Sequence, residues 1–236
     1  MVDNQNYEYN FFNKNKYIKI NPSKTLNENF SNFYSFNGKT SELIRDDKDA
    51  GALKASKEYL ENNYHKYSKL LIENEYLNFI EKKLRIKLYP YKLMHVLSDD
   101  QTGHLIWHRD VYMHNGKNIG PKWPLYKLAI YLQKTDKSNG ITGFIPGRLN
   151  ISFNNRYIDT FYAYLLSAFA FHASVNTGGS ILFSGEVMHN RPKSKTNNFR
   201  QAIIFSLTTA KDVFNTYVKN KNSLPYHLRK MQNFNL

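Results

Sequence analysis

The stretch WHRD, Trp107-His108-Arg109-Asp110, follows a short run at residues 105–107 with the composition of a β-strand. Alternate residues of a strand project from the same face, so His108 and Asp110 can both reach one metal ion. Arg109 and Trp107 are expected on the opposite face, with Trp107 in the core. The stretch therefore predicts a metal site at a strand end.

A second stretch completes a possible ligand set. GGSILF at 178–183 has the pattern of a turn followed by a buried strand, and His189 follows shortly after. Two histidines and one carboxylate, with open coordination positions, form the facial triad of non-haem iron(II) oxygenases. Arg200 lies eleven residues beyond His189 and opens a β-rich run at 201–207. A guanidinium can hold a carboxylate there through two parallel hydrogen bonds.

The triad pattern alone is a weak signal. With 8 His and 19 acidic residues among 236 positions, roughly 0.6 His-x-Asp/Glu pairs are expected by chance. The order and setting carry more weight: a metal motif at a strand end, a long β-rich interval, then a strand, a histidine and an arginine.

Composition narrows the class of protein. The chain has no Cys, which excludes disulfide scaffolds, zinc–thiolate sites, iron–sulfur clusters and cysteine nucleophiles. No apolar run approaches the roughly 20 residues of a transmembrane helix, and no secretory signal is apparent, so we expect a cytoplasmic protein without a membrane span. The net charge of +14 leaves an anionic partner such as nucleic acid open, although no basic block stands out.

The hydrophobic patterns predict a single domain, residues 1–236. Residues 1–87 are expected to hold short strands, for instance at Tyr17–Ile20, and a helical stretch from 52 to 84, all packing on a core. Residues 88–210 carry about seven short β-rich runs with turn signals between them, typical of an antiparallel sandwich or barrel, and a short helix or loop within 157–169. Residues 211–236 are expected to form a helix at 211–219 and a loosely held tail.

Residues 88–208 resemble the phytanoyl-CoA dioxygenase-like branch of the iron(II)/2-oxoglutarate-dependent dioxygenases. The resemblance rests on a conjunction of motifs in the family order. They are Trp107, His108 and Asp110 of the Trp-His-x-Asp motif, AIYLQ at 129–133, SNG at 138–140, FIPG at 144–147, GGSILF at 178–183, His189 and Arg200. Two positions depart from the family. Gly147 is followed by Arg-Leu where Ser-His is common, and Gly179 replaces the usual Asp.

The resemblance implies a mainly β fold with flanking helices, built on a double-stranded β-helix, the jelly-roll of cupin-like proteins. It implies that His108, Asp110 and His189 bind Fe(II), and that 2-oxoglutarate chelates the metal and pairs its far carboxylate with Arg200. Tyr126 and Ser206 are expected to add hydrogen bonds to this cosubstrate. With O2, such an enzyme hydroxylates a C–H bond of a small molecule and releases succinate and CO2. An acidic residue at Asp110 disfavours a halogenase.

Three alternatives stay open at this stage. The same chemistry could act on a protein side chain or nucleic acid, the chain could be a non-catalytic jelly-roll binding module, or it could be a cupin-like enzyme with another metal. An anionic substrate would suit Lys117 and Lys122 of a possible lid at 112–124, together with Arg148. Arg191, near His189, either reaches the cosubstrate or substrate or lies exposed. The sequence leaves the substrate and the oligomeric state open.

Overall fold

Two antiparallel sheets form the centre of the molecule. The computed structural model describes residues 4–20, 43–46, 52–98, 105–111, 113–114, 117–118, 121–136, 138–195 and 200–231. The larger sheet has seven strands, which in spatial order are β1 (Tyr17–Ile20), β11 (Ser180–Ser184), β8 (Tyr126–Tyr131), β13 (Arg200–Thr208), β4 (Tyr89–Ser98), β3 (Ala52–Ala55) and β2 (Leu43–Asp46). The smaller sheet has the order β10 (Phe171–His172), β9 (Gly143–Phe144), β12 (His189–Arg191) and β5 (Leu105–His108). A separate short hairpin pairs β6 (Met113–His114) with β7 (Lys117–Asn118).

Among the described residues, five helices cover the outer face of the larger sheet. They are α1 (Asn4–Asn15), α2 (Lys57–Glu73), α3 (Tyr76–Leu84), α5 (Lys211–Val218) and α6 (Leu224–Arg229). Each contributes buried side chains to one apolar cluster, which includes Phe12, Leu71, Ile80, Phe214 and Leu228. The sheet supplies the facing side chains of that cluster. None of the helices within the described ranges combines the length and apolar character needed to cross a bilayer.

The sixth helix, α4 (Arg156–Leu165), lies on the smaller sheet. Its buried Ala163 packs with Trp107 of β5, Ile145 and Met188. Short 3₁₀ turns at Gly147–Leu149 and Ser167–Phe169 flank the helix. Asn155 begins it, because the Asn155 side chain accepts hydrogen bonds from the backbone N–H groups of residues 157 and 158.

Strand alternation separates the two faces of the larger sheet. On β8, Leu128 and Ile130 join the cluster under the helices, while Ala129 and Tyr131 pack towards the smaller sheet. The same alternation on β13 directs Ile203 to the helices. The inner faces of the two sheets therefore enclose a second core layer and a cavity. The jelly-roll prediction is confirmed.

Three local predictions need correction. The helical stretch expected from 52 to 84 begins as strand β3 and becomes helical only after Ser56, whose hydroxyl accepts from the backbone N–H of Tyr59. Glu75, at φ 57°, adopts the left-handed conformation and separates α2 from α3. Residues 4–15, expected in strands or loops, form α1. Helix α6 anchors residues 224–229 through buried Leu224 and Leu228, while residues 232–236 of the expected tail lie outside the described residues. In each case packing against the sheet outweighs weak local periodicity.

His95 of β4 is a fully buried histidine on the helix side of the larger sheet. Its side chain is 0% exposed, and its Nδ1 lies 2.9 Å from the hydroxyl of Tyr67 on α2. Burial lowers the pKa of His95 from 6.5 to about 3. The folded protein therefore keeps this imidazole neutral.

This burial predicts a pH dependence of stability. The unfolded chain takes up a proton at His95 near pH 6.5, whereas the folded chain does so only near pH 3, so stability falls as the pH decreases between these values. His95→Gln should reduce the slope of the free energy of unfolding against pH, by about 1.4 kcal/mol per pH unit between roughly pH 6 and pH 4.5. Urea unfolding at several pH values measures this. An equal slope in His95→Gln and the unsubstituted protein would contradict it, and the exposed His65→Gln serves as control.

Candidate active site

Three of the sequence-predicted residues meet on the smaller sheet. His108 ends β5, His189 begins β12, and the two residues are direct partners in the antiparallel pairing of these strands. Their ring centroids are 4.3 Å apart. Asp110 follows His108 by two residues, with its Oδ2 3.7 Å from Nε2 of His189. One ligand atom from each residue lies within 4.8 Å of the others.

Both imidazoles are held in the same tautomer. Nδ1 of His108 lies 2.8 Å from the carbonyl oxygen of Ile106, and Nδ1 of His189 lies 2.9 Å from that of Val187. Because a carbonyl only accepts, each Nδ1 carries the proton and donates it. Nε2 of each ring is left with its lone pair, and a backbone carbonyl fixes the ring orientation, as is typical of metal-binding histidines.

The protonation states suit a cation. Burial lowers the pKa of His189 to about 3 and lowers that of His108 below its ordinary value, so both rings are neutral near pH 7. Burial alone would raise the pKa of Asp110. Lys127 and the two histidines outweigh that effect and lower the Asp110 pKa to about 2. The Asp110 side chain is therefore a carboxylate at neutral pH even without a metal ion.

Lys127 determines which oxygen of Asp110 remains available. Its ammonium group donates to Oδ1 of Asp110 at 2.8 Å, and both side chains are largely buried. Oδ2 is buried without a hydrogen-bond partner among the described residues. A buried carboxylate oxygen that lacks a donor and faces two imidazole nitrogens fits a bound metal ion. Sequence analysis missed Lys127, although it occupies the same face of β8 as Ala129 and Tyr131.

The triad opens into a cavity of about 380 Å³ between the sheets. Arg200 lines this cavity and is only 4% exposed. Tyr131 and Thr142 also line it, and their hydroxyl groups are 2.8 Å apart. Tyr131 pairs across the sheet with Ala202, two residues from Arg200 on the same face of β13. The structure therefore brings Arg200 into one cavity with the triad.

Tyr126 and Ser206 do not line this cavity. Tyr126 lies on the helix side of β8, where its ring packs 6.2 Å from that of Phe12. Ser206 is buried on β13. The alternation of β8 explains the position of Tyr126, because residues 126, 128 and 130 share the face under the helices. Tyr131, Thr142 and Ser98 bring hydroxyl groups to the cavity instead.

Arg109 points away from the triad, as strand alternation predicts. It is 5% exposed and pairs through Nε with Oδ2 of Asp159 in α4 at 3.1 Å. Its guanidinium also donates to Oδ1 of Asn150 at 2.8 Å and to the carbonyl oxygen of Ile151 at 2.7 Å. Trp107 is buried in the core, as expected. The pairing with Asp159 had no visible signal in the sequence.

Two of the three cations considered for an anionic substrate, Lys122 and Arg148, lie outside the cavity. Residues 112, 115–116 and 119–120 of that loop are outside the described residues, as is the side chain of Lys117. Lys122 lines a separate groove beside Trp123, and Arg148 is exposed outside the cavity. Arg191, by contrast, lines the cavity of the triad.

No protein family matches the sequence, and no curated protein matches it either. Solved structures do match in fold. EctD from S. alaskensis, with 2-oxoglutarate and 5-hydroxyectoine, is 12% identical, with a TM-score of 0.60 over 88% of this chain and 78% of that one. HygX from Streptomyces hygroscopicus, with nickel, 2-oxoglutarate and hygromycin B, is 13% identical, with a TM-score of 0.60 over 86% of both chains. The α-ketoglutarate-dependent carbocyclase SnoK from nogalamycin biosynthesis is 12% identical, with a TM-score of 0.60 over 86% of this chain and 83% of that one.

This chain has the fold of the iron- and 2-oxoglutarate-dependent oxygenases. At such low identity the likeness concerns the fold, and the chemistry has to be judged from the residues themselves.

The Lys127–Asp110 pair predicts a coupling between stability and metal binding. Lys127→Met leaves a largely buried carboxylate unpaired and should lower the free energy of unfolding of the metal-free protein by about 2 kcal/mol. Added Ni(II) should then raise the melting temperature of Lys127→Met more than that of the unsubstituted protein, because the ion replaces the missing positive charge.

Thermal unfolding with and without Ni(II) measures both effects. Lys127→Arg keeps the charge and should behave like the unsubstituted protein. Lys92→Met, which removes an exposed lysine from β4, is the control for loss of a surface charge. An identical response to Ni(II) in Lys127→Met and the unsubstituted protein would contradict a role for Lys127 beside the metal.

Proposed function

We propose that this chain is an Fe(II)- and 2-oxoglutarate-dependent oxygenase that hydroxylates a C–H bond of a small molecule, releasing succinate and CO2. The observation that carries the proposal is the meeting of two neutral imidazoles, His108 and His189, with the carboxylate of Asp110 in the same cavity as Arg200. The oxygenase fold supports it but would not suffice without these residues.

The triad residues would hold the metal through Nε2 of each histidine and Oδ2 of the aspartate. Bound Fe(II), together with 2-oxoglutarate and O2, supplies the oxidising power for insertion of oxygen into a C–H bond. The chain prepares for this in two ways. Backbone carbonyls orient both rings, and Lys127 holds Oδ1 of Asp110, which favours binding of the metal by a single oxygen of this carboxylate.

Arg200 would bind the far carboxylate of 2-oxoglutarate. A buried guanidinium is stable when matched by an anion with complementary geometry, and a carboxylate satisfies both conditions. We assign Tyr131 and Thr142, rather than Tyr126 and Ser206, as the hydroxyl partners of this carboxylate. Both line the cavity, Tyr131 pairs across the sheet with Ala202, two residues from Arg200, and the Thr142 hydroxyl lies 2.8 Å from that of Tyr131.

Apolar side chains would keep water away from the reacting centre. Phe183 of β11 packs its ring 4.8 Å from that of His189. Met94, Ala129 and Ile204 line the same cavity. Exclusion of water strengthens electrostatic interactions with charged ligands and limits side reactions. The cavity volume of about 380 Å³ lies near the lower end of the roughly 300–1,000 Å³ of small-molecule sites, which favours a small substrate over a macromolecular one.

The proposal is tested by anaerobic titration of metal-free protein with Fe(II) and then 2-oxoglutarate, following the visible charge-transfer band of the ternary complex. The band should need both additions and should be absent in His189→Ala and Asp110→Ala. The exposed His65→Ala is the matched control and should keep the band. Tight Fe(II) binding without a band would favour a cupin-like metal enzyme, and no Fe(II) binding would leave a jelly-roll binding module.

Variants in the cosubstrate site should change the 2-oxoglutarate requirement. Arg200→Ala should weaken 2-oxoglutarate binding by about tenfold or more, because a charge-assisted pair is lost. Arg200→Lys should be intermediate, since lysine keeps the charge but not the planar, two-pronged geometry.

The hydroxyl assignment is tested in the same titration. Tyr131→Phe should weaken 2-oxoglutarate binding several-fold, while Tyr126→Phe and Ser206→Ala should leave it unchanged within about twofold. Weaker 2-oxoglutarate binding in Tyr126→Phe and Ser206→Ala, with no change in Tyr131→Phe, would assign cosubstrate binding to Tyr126 and Ser206 instead of Tyr131.

A further inference from the structure

Basic side chains are frequent in the lining of the cavity that contains the triad. Five of its described lining side chains are basic, and Asp110 is the one acidic group among them; the basic residues are Lys54, Lys127, Arg156, Arg191 and Arg200. Basic groups along a cleft raise the local concentration of anions.

Two of the five cations already have a place in the proposed chemistry. Lys127 pairs with Asp110, and Arg200 is assigned to 2-oxoglutarate. The other three, Lys54, Arg156 and Arg191, form what we call the outer cluster. All three are at least partly exposed, so an incoming ligand can reach them.

The outer cluster comes from three separate elements. Arg191 pairs with Leu105 at the end of the smaller sheet, while Lys54 of β3 pairs with Val96 on the larger sheet. Arg156 is the first residue of α4. Basic side chains thus line the cavity from both sheets and from the helix that covers the smaller one, whereas a chance surface cluster would more often come from a single element.

Apolar side chains form one wall of the cavity. Met94, Phe183 and Ile204 lie on the inner face of the larger sheet, and Leu105 and Ile106 belong to β5. Phe183 lies beside His189, so the apolar wall extends to the triad. A ligand that fits both surfaces has an anionic group and a hydrocarbon segment.

We infer that the substrate is a small organic anion whose carboxylate or phosphate group binds the outer cluster of Lys54, Arg156 and Arg191, with its hydrocarbon segment directed along the apolar wall to the triad. The inference rests on the proposed function for the role of this molecule as substrate. The binding site itself depends only on residues outside the triad, and its test does not require turnover.

Binding is measured by calorimetry on protein saturated with Ni(II) and 2-oxoglutarate. The probes are hexanoate and hexyl phosphate, with hexanamide as the neutral analogue of equal chain length. At least one anionic probe should bind about tenfold or more tightly than hexanamide, and its affinity should fall as salt is raised. Whichever of the two anions binds more tightly identifies the anionic group of the substrate.

Charge-removing variants locate the site. Binding of the anionic probe should weaken by about tenfold in each of the variants Arg156→Gln, Arg191→Gln and Lys54→Gln, while binding of hexanamide should change little. Arg148→Gln removes an exposed arginine outside the cavity and should change neither. The affinity for 2-oxoglutarate should stay within about twofold in the three cluster variants.

Several outcomes would overturn the inference. Equal binding of hexanoate, hexyl phosphate and hexanamide, or no binding of either anion, would exclude an anionic substrate site. Displacement of the anion by excess 2-oxoglutarate would assign the outer cluster to the cosubstrate. Failure of Ni(II) and 2-oxoglutarate to bind, with cluster-dependent anion binding retained, would instead remove the proposed oxygenase function and leave an anion-binding protein.

Discussion

Strands β5 and β12 pair so that His189 lies directly opposite His108, and β12 pairs on its other edge with β9. A slip of one residue would turn His189 to the other face and bring Asn190 to its place, dissolving the triad. Gly143 of β9 leaves room for the Asn190 side chain, because a Cβ at this position would lie only 2.6 Å from Oδ1 of Asn190, its neighbour across the pair. The meeting of His108 and His189, and the position of Asp110 beside them, depend on the pairing of β12 with β5.

Site residues could be predicted from the sequence where their spacing is local or their chemistry is distinctive. His108 and Asp110 could be predicted from strand alternation, and His189 and Arg200 from their order after the GGSILF strand. The structure brings these four together in one cavity. The pairing of β12 with β5 could not be derived from spacing, because His108 and His189, 81 positions apart, become neighbours only through the sheet. The family resemblance supplied that missing step.

Tyr126 and Lys127 show where sequence reasoning fails on a strand buried on both faces. Both faces of β8 are mostly apolar, so alternation alone does not identify the face that lines the cavity. Tyr126, expected to bind the cosubstrate, packs beneath the helices instead. Lys127, which the sequence did not single out, is largely buried against Asp110. Helix α1 could not be predicted for a related reason: packing against the rest of the protein stabilises it, whereas its own hydrophobic pattern is weak.

The WHRD stretch connects the triad to the outer cluster through its alternate residues. His108 and Asp110 face the cavity, whereas Arg109 faces the opposite way and binds Asp159, a fully buried carboxylate of α4. Such a pair is costly to bury unless its remaining atoms are satisfied, and here Oδ1 of Asp159 accepts the backbone N–H of Phe153 at 2.7 Å. Arg109 thereby fixes the first turn of α4 relative to the triad. Because Arg156 opens that turn, one short stretch of sequence positions two residues of the triad and a cation that lines the cavity.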